Sequence, residues 1–218
     1  MRNLKDFGFD GKTVLRFVLE ALEYQSISQA IAALTMFSHP QTVEQSRYRN
    51  LFRVIRCRVI NERGKYQCLV DGSRIMLDDN TAPTEAFIWA NGISRSTYQD
   101  VQFNHICPDS TDVSLYTNLA NICVSPAFLA KLTDTDKEIC ELLRFRAYDL
   151  YGGFAPAGII PNKPAVYDNL SWAAPLPPVY DLEHTFRMEM SRKRSNRTVR
   201  CAKELGWLFS SFEPDMRM

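Results

Sequence analysis

The chain has 218 residues, 45% of them apolar, and its 26 Lys and Arg against 25 Asp and Glu give a formal net charge of +1. That apolar share supplies a core for one domain or two small ones, and the balanced charge neither requires nor excludes nucleic acid. No apolar run approaches the ~18 residues that span a bilayer, and Met1-Arg2-Asn3-Leu4-Lys5-Asp6 lacks the apolar stretch of a signal peptide, so a cytoplasmic protein without a membrane partner is expected.

The first element in chain order is an amphipathic helix over Lys12 to Tyr24, with Val14, Leu15, Val18, Leu19 and Leu22 at helical spacing. Ser26 to Phe37 reads as a second helix, with Ser26 or Ser28 as N-cap. Ser38-His39-Pro40 interrupts it, because a residue before proline is pushed out of the α region. A third helix is predicted from about Thr42 to Ile60. Its apolar residues Tyr48, Leu51, Phe52, Ile55 and Val59 repeat at helical spacing, and Arg49, Arg53 and Arg56 form a separate stripe. Lys65 to Val70 and Ser73 to Leu77 flank Asp71-Gly72, the dipeptide that best fits a tight hairpin turn. Asp78-Asp79-Asn80-Thr81-Ala82-Pro83 is the expected junction between residues 1–80 and 81–218.

Beyond it, Thr84 to Ala90 reads as a short helix stopped near Asn91-Gly92. An alternating strand, Val101 to Ile106, carries His105, and a polar loop leads to a second strand over Tyr116 to Cys123. Ser125-Pro126 then offers an N-cap and first-turn proline for a helix over Ala127 to Leu132. Thr135-Asp136-Lys137-Glu138 has the form of a capping box and opens a helix closed by Gly152-Gly153. A proline-rich irregular segment spans Phe154 to Pro178, and two closing helices follow over about Val179–Arg194 and Arg197–Phe212. The expected class is α+β and mostly helical. The six cysteines (Cys57, Cys68, Cys107, Cys123, Cys140, Cys201) are scattered without a CxxC pair and read as reduced thiols.

Charge is unevenly placed along the chain. One basic cluster runs from Arg47 to Lys65 and another from Arg187 to Lys203, the latter including Arg192, Lys193, Arg194 and Arg197. Each reads either as a solvated helix face or as a surface that attracts phosphates.

Two resemblances carry function. Three helices followed by a hairpin, over residues 12–78, resemble a winged helix-turn-helix by order of elements; a plain three-helix cap with a hairpin fits the same pattern. More locally, Asn104-His105-Ile106-Cys107-Pro108 followed by Asn118-Leu119 resembles the HNH, or ββα-metal, nucleases. The family pattern is Asp/His-His-Ile-x-Pro, a loop, Asn-Leu, then a helix bearing His or Asn. This resemblance covers residues 101–132 and implies His105 as general base, Asn118 as the loop-fixing asparagine and Asn104 at a metal-ligand position. It also implies Mg²⁺ or Mn²⁺ at the scissile phosphate. The helix position for a further ligand falls near Ala127 or Phe128, which cannot coordinate a metal. Asp109 and Asp112 in the loop, or Asp134 just past the helix, are the candidate replacements, with Asp109 taken as the metal ligand beside Asn104.

The expected function is a metal-dependent DNA endonuclease, restriction- or defence-related. Its DNA contacts would be Arg49, Arg53, Arg56, Arg192, Lys193, Arg194 and Arg197, and a homodimer is compatible with the sequence. The alternatives are DNA binding without catalysis, in which the HNH-like part is a relic, and an interaction protein or inhibitor that presents basic faces to an acidic partner.

Overall fold

A computed structural model describes residues 11–93, 100–192 and 208. Helix α1 (Gly11–Ala21) lies close to where its periodicity puts it, yet it is anchored mainly through Leu19, while Val14, Phe17, Val18 and Leu22 stay about half exposed or more. In α2 (Ile27–Leu34) the Ser26 side chain accepts from the Gln29 amide at 3.1 Å, the expected N-cap. This helix ends three residues earlier than its apolar pattern suggests. Met36–Phe37 instead forms strand β1, pairing with residues 123–124 far along the chain.

The long third helix is not formed. Helix α3 (Pro40–Gln45) stops after six residues, and Arg47 and Tyr48 turn the chain with φ of 53° and 54°. The backbone then spends its hydrogen bonds on distant partners: the Leu51 amide on the Thr117 carbonyl at 3.2 Å, and Arg56 on Ser110 at 2.9 Å. Val54–Arg56 becomes strand β2. Of the apolar residues that looked like a helix stripe, Leu51 and Phe52 are buried, together with Val54 outside that stripe, while Tyr48 and Val59 are exposed. Arg49, Arg53 and Arg56 share no helix face, and a third recognition helix is absent among the described residues.

The hairpin forms at the expected place with a longer connection than a two-residue turn: Cys68 pairs with Arg74, and the Gly72 amide donates back to the Leu69 carbonyl. β3 (Tyr66–Cys68) runs antiparallel to β4 (Arg74–Asp78), with Gly72 at φ 78° in the turn. β4 also pairs with β2, in parallel, so the order of this sheet is β2-β4-β3. Helix α4 (Ala82–Ala90) follows and is buried at every position but Thr84.

The second sheet has the order β1-β6-β5. β5 (Val101–His105) and β6 (Ile122–Pro126) are antiparallel, with His105 opposite Ile122, and the short helix α5 (Ala127–Ala130) leads off from β6. The expected succession of strand, loop, strand and helix is present. Its second strand starts later than predicted, and Ser125 lies inside that strand while Pro126 takes the cap position. Helices α6 (Leu132–Thr135) and α7 (Lys137–Leu150) follow. Asp136, not Thr135, caps α7, accepting from the Glu138 and Ile139 amides. The Thr135 hydroxyl turns back to the Lys131 carbonyl instead.

After an irregular proline-rich segment the chain ends its described part in α8 (Leu182–Arg192). The predicted helix over residues 197–212 lies outside the described residues except for Leu208. Buried side chains from both sides of the 78–83 turn, including Phe52, Trp89, Tyr116 and Phe186, pack into one apolar cluster. The class is α+β. Among the described residues no helix is long and apolar enough to cross a membrane.

Candidate functional site

Strand alternation sends neighbouring side chains to opposite faces, and this separates Asn104 from His105. Asn104 is buried, and its amide nitrogen donates to the Ser125 hydroxyl across the hairpin at 2.8 Å and to the Gln102 carbonyl at 3.2 Å. His105 ends β5 with its ring half-buried. Its Nε2 lies 2.9 Å from the Tyr116 carbonyl, and its ring stacks on that of Tyr116 at 5.4 Å and 25°. A carbonyl only accepts, so Nε2 carries the proton and Nδ1 of the neutral ring keeps its lone pair. Burial holds the His105 pKa below its ordinary value, with Arg56 adding to the effect, while the Tyr116 carbonyl and Asp134 oppose it. The ring is therefore neutral near pH 7.

Tyr116 is itself fixed from below. Its phenol donates to the carboxylate of Asp78 at 3.0 Å, and both residues are fully buried. Burial first, and Asp78 second, push the phenol far above its usual range. Asp78 also accepts from the amides of Asn80 and Ala82 at 2.9 and 3.0 Å, so it holds the start of α4 as well as the tyrosine.

The loop between the two strands is ordered by its own carboxylates. Asp109 accepts from the amide and hydroxyl of Thr111, and Asp112 from those of Ser114. Asn121 closes the loop. Its carbonyl oxygen accepts from the Cys107 amide at 2.8 Å, and its amide donates to the Cys107 and Leu115 carbonyls, both at 3.1 Å. Asn118 is equally buried but faces elsewhere. It donates to Tyr48 and Ser114 carbonyls and accepts from the Ala120 amide.

His105 borders a polar cleft of about 280 Å³, together with Arg56, Arg58, Asn80, Ser110 and Asp134. Arg56 and Arg58 are exposed and reach it from β2 and the residues just after, while Asp134 is exposed on α6. Asn80 is held at φ 86°, in the left-handed region that asparagine tolerates better than most residues. The cleft thus brings two guanidinium groups, one carboxylate and a neutral imidazole to a single opening.

Of the residues picked from sequence, His105, Arg56 and Asp134 meet in the cleft. Asn104 borders it with its amide turned to Ser125. Asn118 and Asp109 are not among the residues that line it. Arg49 is exposed in the turn after α3, and Arg53 donates to the Ser73 hydroxyl at the β3–β4 turn. Arg192 is the last residue of α8, and Lys193, Arg194 and Arg197 lie outside the described residues. The residues that sequence reasoning passed over are Tyr116, Asp78 and Asn121. Asn121 sits three positions after Asn118 and just ahead of an apolar strand, and that placement was its only local signal.

The donor set does not fit the ββα metal site that the resemblance implies. Asn104 is tied to Ser125, Asp109 is engaged within its own turn, and Ala127 and Phe128 offer no ligand atoms. Among the described residues no three His, Cys, Asp or Glu side chains gather in a way that could hold a metal ion. Compared with protein-family models, curated proteins and solved structures, the chain matches none.

Proposed function

We propose that the protein binds DNA in the cytoplasm through the cleft beside His105 and hydrolyses a phosphodiester there. The observation that carries this reading is the neutral His105 ring, its Nε2 proton committed to the Tyr116 carbonyl, at the edge of a cleft flanked by Arg56 and Arg58. Nδ1 takes a proton from water as the water oxygen attacks phosphorus, the ester P–O bond to one sugar oxygen breaks, and that departing oxygen takes a proton from solvent. The two guanidinium groups bind the phosphate and offset the charge that grows on its oxygens. No step is assigned to Mg²⁺ or Mn²⁺, because the ligands for it do not converge.

A second reading, DNA binding without cleavage, is favoured by one specific observation: the side chain at the ligand position, Asn104, is occupied by Ser125. One paired experiment separates the two. Binding of a labelled duplex is followed against salt, and supercoiled plasmid is incubated in EDTA, Mg²⁺ and Mn²⁺. Cleavage that His105→Ala abolishes supports hydrolysis. Salt-dependent binding that weakens in Arg56→Ala and Arg58→Ala, without cleavage in any condition, supports the second reading. A protein that neither binds nor cuts DNA overturns both. If two copies pair, the exposed apolar side of α1 is the surface we assign to the contact, and solution mass tests it.

A further inference from the structure

Immediately after His105, the same chain segment enters a second cavity that shares no lining residue with the cleft. Its volume is about 440 Å³, within the roughly 300–1,000 Å³ typical of small-molecule sites. One side is α7, which contributes Glu141, Arg144 and Ala147. Facing it are Phe154, Ile159 and Ile160 from the proline-rich segment, with Ile106 and Cys107 also lining the cavity.

The wall is preformed. Ala157 and Gly158 have φ of 55° and 71°, and backbone hydrogen bonds from Gly158 to Ala155 and from Ile159 to Pro156 fix the turn. That turn holds Ile159 and Ile160 out at 72% and 67% exposure, where two adjacent aliphatic side chains would gain by being covered. Asn121 clamps Cys107 through both its amide and its carbonyl, so the opposite rim is equally fixed.

The two charged residues of the cavity, Glu141 and Arg144, are not paired with each other. Glu141 faces Lys137 at 3.9 Å on the solvent side of α7. Arg144 lies against the thiol of Cys107 and forms no ion pair among the described residues. A guanidinium beside aliphatic walls suits a ligand with one anionic head and an apolar body.

We propose that this cavity binds an aliphatic carboxylate of medium chain length, its head group on Arg144 and its tail against Phe154, Ile159 and Ile160. The site is independent of the reading given to the His105 cleft. Decanoate and decanol, below their aggregation concentrations, are the probes, titrated calorimetrically into the full chain. Decanoate should bind about tenfold or more tightly than decanol, the discrimination expected of one hydrogen bond to a charged group. Arg144→Gln should bring decanoate down to the decanol level and leave decanol unchanged. Ile160→Asp should remove both, with circular dichroism checking that each variant is folded. Decanoate should also slow alkylation of Cys107 without slowing that of exposed Cys68. Equal binding of the two probes, no binding of decanoate, or decanoate binding that survives Ile160→Asp overturns the proposal.

Discussion

Asp78 is the residue whose removal should be felt furthest. Its carboxylate accepts hydrogen bonds from the Tyr116 phenol and from the Asn80 and Ala82 amides. Tyr116 and Ala82 are both fully buried, whereas Asn80 is exposed and water can replace its partner. Asp78→Ala therefore leaves the buried Ala82 amide unsatisfied and the Tyr116 phenol with only its longer bond to the Asn80 side-chain oxygen at 3.3 Å, for a loss of about 2–4 kcal/mol. Against a total stability of roughly 5–15 kcal/mol this is a large share. Tyr116→Phe removes one donor and its charged partner's bond, costing about 1.5–3 kcal/mol, and keeps the carbonyl that holds His105. In the Tyr116→Phe background there is no phenol to lose its shorter, charged partner, so Asp78→Ala should cost about 1–2 kcal/mol less than it does alone. Urea unfolding of the four proteins, with the dependence on urea checked for constancy, measures all of these terms. A loss below about 1 kcal/mol for Asp78→Ala, or additivity of the two changes within about 0.5 kcal/mol, would refute the network as described.

Three further outcomes follow from neighbouring residues. The His105 pKa is depressed below 6.5 in the folded protein, so below that pH the unfolded chain binds a proton more readily. Stability is full above about 6.5, falls as pH drops from there to the folded value, and levels off beneath it. His105→Gln should flatten that part of the urea-midpoint profile, and an unchanged slope would show that another group causes it. Asn121→Ala removes three hydrogen bonds that tie the loop to Cys107 and Leu115, and should cost about 2–4 kcal/mol and speed amide exchange over residues 107–115. Wild-type exchange rates there would count against the clamp. Cys123 is buried, and burial raises its thiol pKa to about 12, so in native protein at pH 8 iodoacetamide should label exposed Cys68 and leave Cys123 intact until urea is added.

The parts of this protein that rest on neighbours in sequence are those its sequence determined. Ser26 caps α2, Asp71-Gly72 turns β3 into β4, and Gly92 follows α4, because caps and turns are settled within a few residues. The alternating run up to His105 became a strand, and a second strand and a short helix followed it in the expected order. Only the tertiary structure decided the segment from residue 46 to 60. Its apolar spacing satisfies a helix equally well, yet the backbone groups of residues 51–56 find partners at Thr117, Ser110 and β4. A parallel pairing to a strand twenty residues away leaves no periodic mark in a local window. The site divides in the same way. His105 was visible because a histidine at the end of an alternating strand stands out locally. Its tautomer comes from the Tyr116 carbonyl, whose residue the buried Asp78 holds in place; its low pKa comes from burial, with Arg56 adding to it; and the arginines beside it come from the path of β2. Those contacts join residues tens of positions apart, so only the packed chain could define them.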